Sequence, residues 1–204
     1  MAKIDDPIAF ELFKNAIFSI ADEMALTICR TTYSGVLRDN MDFSTAFANK
    51  DGKLVAQGLT LPAHLGSIPT ALDVVVERFG PEMQSEDMYI MNDPFDGGMH
   101  LPDIFIFKPI FHEGKRIAFA ATICHHTDVG GRVAGSNASD STEIYQEGLR
   151  IPPMYMFEQG TRNDTLWRMI EANVRVPIKV FGDIRAQLAA CNIAERQFLE
   201  PQMC

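Results

Sequence analysis

The sequence is short of cationic side chains, of paired cysteines and of long apolar runs, and each shortage removes a class of protein. Only 18 lysines and arginines stand against 27 aspartates and glutamates, a net charge of −9. A nucleic-acid binder needs a basic patch to displace the counterions of the phosphate backbone, and no such cluster occurs along this chain. The longest apolar runs, such as 117–121, fall far short of the ~20 residues needed to cross a bilayer. The acidic start, MAKIDDPIAF, lacks the basic-then-apolar layout of a signal peptide. The four cysteines (Cys29, Cys124, Cys191 and Cys204) are far apart, without the paired spacing of a zinc site or disulfide framework. They read as reduced thiols in a cytoplasmic protein, and Cys124, among apolar neighbours, reads as buried and inert. There is no Gly-x-x-x-x-Gly-Lys-Ser/Thr loop, no dinucleotide fingerprint and no Gly-x-Ser-x-Gly, so the chain carries no sequence sign of its own nucleotide site or serine nucleophile.

What is present describes a globular protein. Of 204 residues, 47% are hydrophobic and 22% charged, enough to bury a substantial core. Asp5 or Asp6 caps a first helix with Pro7 in its first turn, and Phe13, Ala16, Ile17, Ile20, Met24 and Ile28 recur at helical spacing. Phe43, Thr45 and Phe47 alternate as in a strand, followed by a turn at Asn49-Lys50-Asp51-Gly52 and a return strand to Gln57. Ser67 is expected to cap a second helix that stops at Gly80-Pro81. Strands are expected over 87–92, 104–110 and 116–124, the last apolar on both faces as in the middle of a covered sheet. Helices follow from Asn163 or Asp164 and from Pro177, the latter with Val180, Ile184, Leu188, Cys191 and Ala194 inward. The expected fold class is α+β (mixed α/β), a central sheet covered by helices, with 1–204 forming a single domain.

Chemistry concentrates at the histidines. There are five, and four of them (His100, His112, His125, His126) lie close together in sequence. His100 and Asp103 flank Pro102 in a stiff turn, while His125-His126-Thr127-Asp128-Val129-Gly130-Gly131 ends a strand. Two imidazoles and a carboxylate from separate segments suit a divalent cation with open coordination positions, with His125 or His126 as the third ligand. The plainer reading is equally open at this point: Asp-Pro and Gly-Gly are ordinary turn formers, and one of two adjacent histidines is often simply buried. His64, between Ala63 and Leu65, reads as a core residue or, alternatively, a lining residue, and His112 as part of a hairpin turn.

Taken in order, eight blocks resemble the hydantoinase B/oxoprolinase family. They are Arg30-Thr31-Thr32-Tyr33-Ser34, Asp42-Phe43-Ser44, 51–57, Pro62-Ala63-His64-Leu65-Gly66-Ser67, Asn92-Asp93-Pro94-Phe95 with Gly97-Gly98 and His100, 125–131, 146–153, and Asn173-Val174-Arg175 with 182–187. That family includes the B-type subunits of ATP-dependent hydantoinases, the C-terminal half of 5-oxoprolinase and the alpha subunits of acetone and acetophenone carboxylases. The resemblance implies a metal held by His100, Asp103 and His125, a divalent ion such as manganese, zinc or iron. It implies supporting or proton-transfer roles for His126 and Asp128. Because family members run to several hundred residues, this chain resembles the N-terminal portion of a larger subunit.

The resemblance further implies a division of labour. A hydantoinase A-type ATP-binding partner phosphorylates an amide oxygen, and the B-type subunit opens a hydantoin or lactam ring. This makes the chain part of a hetero-oligomeric enzyme acting on a small cyclic amide. Two other functions stay open: the alpha subunit of a ketone carboxylase, and a non-catalytic assembly fragment.

Overall fold

The computed structural model describes residues 6–60, 64, 66–136 and 138–200. Asp5, Cys204 and residues 61–63 and 65 lie outside them.

Helix α1 (Pro7–Thr31) begins where expected: Asp6 accepts the Ile8 N–H, and Pro7 occupies a position whose N–H would go unused. Its inward stripe runs from Ile17 to Ile28. Phe13, expected on that stripe, stays exposed. A short helix α2 (Gly35–Arg38) leads to β1 (Phe43–Asn49) and β2 (Leu54–Gln57). Their turn is organised by the Asn49 side chain, which accepts from the N–H groups of Asp51 and Lys53. Helix α3 (Ser67–Phe79) is not capped by Ser67; the serine is its first residue, and its hydroxyl donates backward to the His64 carbonyl at 2.7 Å.

Strands β3 (Met88–Met91), β4 (Asp103–His112) and β5 (Lys115–His125) follow. Glu113 and Gly114 join β4 to β5 with φ of 49° and 73°, the left-handed pair that a two-residue hairpin requires. Two strands were not expected: β6 (Met154–Glu158) and the short β7 (Thr161–Arg162), joined by Gln159-Gly160. Helices α4 (Asp164–Asn173) and α5 (Pro177–Leu199) close the chain.

The seven strands form one sheet in the order β2-β1-β5-β4-β3-β6-β7, and every neighbouring pair is antiparallel. Alternation divides the core in two. Phe43, Phe47, Ile104, Ile106, Ala120 and Cys124 face α1, α4 and α5, whereas Phe105, Phe107, Phe119, Ala121 and Ile123 face α3. The fold is therefore mixed α/β, with helices covering both faces of the central sheet. On the inward side of α5, Leu188 is only half-buried and Gln187 is fully buried instead. Its amide donates to the Ile104 carbonyl and the Thr122 hydroxyl, which satisfies a polar group that would be costly to bury alone. Cys29, Cys124 and Cys191 are free thiols. Among the described residues no helix is long and apolar enough to cross a membrane.

Candidate metal centre

The centre grows out of strand register. Asp103, the first residue of β4, lies directly opposite His125, the last of β5. Both fall on the α3 side, in phase with Phe105 and Ile123. His126, one position further, falls on the opposite side because side chains alternate.

His100 is delivered by the loop between β3 and β4. Asn92 ties that loop down: its amide donates to the Leu101 and Leu149 carbonyls, and its oxygen accepts from Ile151. Asp93 accepts from the N–H of Phe95 and from Arg150. Gly98 is required by close approach, since a Cβ there would lie 2.8 Å from the carbonyl oxygens of Asn92 and Asp93. The Asp103 N–H then donates to the His100 carbonyl at 2.9 Å, closing the turn around Pro102.

The result is a buried carboxylate between two imidazoles. Asp103 Oδ1 is 3.0 Å from His125 Nδ1, and Oδ2 contacts His100 Nδ1. One ligand atom from each of His100, Asp103 and His125 falls within 4.8 Å of the others. Asp103 is wholly buried, His125 is partly exposed, and His100 opens to the surface. Burial alone would raise the Asp103 carboxyl; the two imidazoles outweigh it and hold the group at about 2. Asp103 in turn raises His100 above its ordinary value, against the opposing effect of burial. A fully buried carboxylate needs a cation nearby, and Asp103 Oδ2 receives no well-directed hydrogen bond. Two imidazoles, one ionised carboxylate and an underused buried oxygen are a donor set that fits a divalent metal.

The structure does not bring His126 and Asp128 into this cluster. His126 is fully buried beneath α5, with Nε2 3.0 Å from Gln187 Oε1, and burial lowers its pKa. Asp128 accepts from the backbone N–H and the guanidinium of Arg175, both at 2.7 Å. Arg175 also donates to the carbonyls of Gly130 and Gly131. Both side chains are engaged away from the cluster, His126 with α5 and Asp128 with Arg175 after α4. Gly130 and Gly131 serve backbone packing, because a Cβ at either would lie 2.5–2.6 Å from the backbone of Asn173 or Glu147.

Two residues beside the centre were named in the sequence reading without being assigned to it. His64 is nearly buried, with Nε2 3.4 Å from Asp42 Oδ1 and Nδ1 3.4 Å from the Ser44 hydroxyl. Asp42, just before β1, shares the α3 side with Ser44, and its carbonyl accepts from the His125 N–H at 3.0 Å. Burial lowers the His64 pKa, against the opposing pull of the Asp103 and Asp42 carboxylates. The one available signal was the placement of His64 just ahead of a helix, in a chain with few histidines.

Comparison with known proteins agrees with this frame. The family model described as hydantoinase B/oxoprolinase matches residues 6–201. The chain is 35% identical over 195 residues to the beta subunit of the caprolactamase of Pseudomonas jessenii, covering 96% of this chain and 34% of that protein. It is 34% identical over 185 residues to the 5-oxoprolinase of Dictyostelium discoideum, covering 91% of this chain and 15% of the other. The crystal structure of the ATP-dependent caprolactamase from Pseudomonas jessenii superposes with a TM-score of 0.90 over 97% of this chain and 34% of that one. A nucleotide-free acetone carboxylase structure also reaches 0.90, over 96% of this chain and 26% of that one, at 20% identity, a likeness of fold. The chain thus spans about a third of the length of the caprolactamase beta chain. By the family match over nearly its whole length, the chain belongs to the hydantoinase B/oxoprolinase family.

Proposed function

We propose that this chain is the N-terminal part of the B-type subunit of an ATP-dependent cyclic amide hydrolase that opens a hydantoin or lactam ring. The observation that carries the reading is the convergence of His100, Asp103 and His125 at one partly open point. Relatives named for caprolactam and 5-oxoproline chemistry support the substrate class. One of these relatives is named as a beta subunit, and another, at 29% identity, as a putative B-type subunit of a D-/L-hydantoinase; both names support a multi-subunit enzyme.

In this reading His100, Asp103 and His125 hold a divalent cation: manganese, zinc or iron. Such an ion supplies Lewis acidity and a water of lowered pKa. The rest is work for side chains. Asp103, ionised and buried, fixes the two imidazoles, and His100, the most exposed of the three, faces the substrate side. His126 and Asp128 act as positioning residues that set the end of β5 and the loop after it. ATP is used by a hydantoinase A-type partner, which phosphorylates the amide oxygen and so makes the ring carbon a better electrophile.

The test is to combine the full-length subunit with its partner and follow phosphate release and ring opening on hydantoins, 5-oxoproline and caprolactam. ATP-dependent ring opening that is lost in His100→Ala supports the reading. Bicarbonate-dependent carboxylation of ketones with no ring opening contradicts it and favours the carboxylase alternative, for which the acetone carboxylase likeness supplies the fold only. A metal-free, inactive protein in the same assay favours the assembly-fragment alternative.

A further inference from the structure

The fold gathers three arginines that the sequence scatters. Arg162 ends β7, Arg168 lies on α4 and Arg185 on α5, and all three line one cleft of about 290 Å³ around Trp167 and Phe181. The cleft belongs to the α4 and α5 layer, on the other side of the sheet from the metal centre.

Three guanidiniums share its lining with two carboxylates, Asp164 and Glu171, which leaves one positive charge in excess. Trp167 stacks on Phe181 with ring centroids 4.8 Å apart, which holds α4 against α5. The guanidiniums of Arg162 and Arg185 lie 5.2 and 5.8 Å from the same indole ring. Placing two like charges on one ring calls for a counter-charge. Arg162 has one in Asp164, at 2.6 Å. Among the described residues Arg168 and Arg185 make no ion pair, and Glu171, which also lines the cleft, makes none either. The Trp167 side chain is 8% exposed, and its N–H finds no acceptor. Buried N–H groups are rarely left so.

We propose that this cleft binds an oxyanion group, a carboxylate or a phosphate, with Arg168 and Arg185 supplying charge-assisted hydrogen bonds. Guanidinium forks match either group in a planar, paired geometry. A cationic cleft also stands out on a chain whose net charge is −9.

Trp167 is the only tryptophan in these 204 residues, so emission from a protein of this sequence alone reports on this cleft. The protein is titrated with inorganic phosphate and, separately, with a short glutamate-rich peptide, each against sodium chloride of equal ionic strength. The expected result is a saturable emission change with at least one of the two. Its apparent dissociation constant should weaken at least about tenfold in Arg168→Gln and in Arg185→Gln, since each variant removes a charged hydrogen-bond donor. The guanidiniums over the indole are those of Arg162 and Arg185, so the Arg168 variant separates lost binding from an altered tryptophan environment. Saturation with phosphate identifies a phosphate-bearing ligand, and saturation with the peptide alone identifies a polypeptide carboxylate. A response matched by chloride, no saturation with either probe, or unchanged affinity in both variants overturns the proposal.

Discussion

At the scale of single residues, phase decides roles. His125 and His126 are adjacent and of one type, yet alternation sends the first to Asp103 and the second beneath α5 to Gln187. The strand was legible in the sequence; which histidine points where required knowing which face carries α3 and which carries α5. His64 shows the opposite difficulty. Its apolar neighbours Ala63 and Leu65 suggested core, and it is indeed nearly buried, but its ring is held between Asp42 and Ser44 beside the metal centre. Groups that surround metal ligands typically change affinity by about 10- to 100-fold when removed, and His64 lies near enough to interact with the Asp103 carboxylate. His64→Gln is therefore expected to weaken metal binding by about that factor with little change in far-ultraviolet circular dichroism. Unchanged affinity in a metal titration counts against the arrangement.

Cys191 yields a second expectation at this scale. Burial pushes its thiol from 9.0 up to about 12. The unfolded chain then loses this proton at lower pH than the folded one, so stability is intact below pH 9 and declines as pH rises toward 12. Urea midpoints measured from pH 7 to pH 11 should fall, and the fall should be shallower in Cys191→Ala. Equal slopes for the two proteins contradict the assignment.

At the scale of elements, the joints are set by close packing more than by propensity. The end of α1 is tied to α5 through Asp183, whose Oδ1 accepts from Thr32, from the Tyr33 N–H at 2.7 Å and from the Ser34 N–H at 3.0 Å. Beside it, Gly182 lets the Tyr33 side chain lie flat on the helix: an added Cβ would sit 2.3 Å from Tyr33 Cγ. Gly182→Ala would ordinarily favour a helix, but here it is expected to destabilise by about 1–3 kcal/mol, the usual cost of overpacking. Chemical denaturation checks this, and a stabilised variant contradicts the contact. The helices α1, α3, α4 and α5 were readable because each has an apolar period and a breaker. Strands β6 and β7 were missed because Met154-Tyr155-Met156-Phe157 does not alternate and β7 has only two residues. Their signal was Gln159-Gly160, where φ of 48° and 77° form the same kind of tight hairpin as Glu113-Gly114.

At the scale of the molecule, one antiparallel sheet separates two sites of different character. On the α3 side the β3–β4 loop and the ends of β4 and β5 bring His100, Asp103 and His125 together; on the α5 side lies the arginine-lined cleft. That these three side chains would meet was legible because scarce histidines sat beside turn formers, and the family resemblance chose His125 over His126. The supports around it were not legible, since Asn92, Arg150, Arg175 and Gln187 act through contacts distant in sequence.

The central claim is that these three side chains bind one divalent cation. The most direct measurement is elemental analysis of the purified protein after reloading with manganese, zinc or iron and removal of excess, alongside His100→Ala and Asp103→Ala. The account predicts about one ion per chain in the parent protein, as expected for a single site with these ligands, and almost none in either variant. Parent-level metal in both variants, in folded protein, would contradict it.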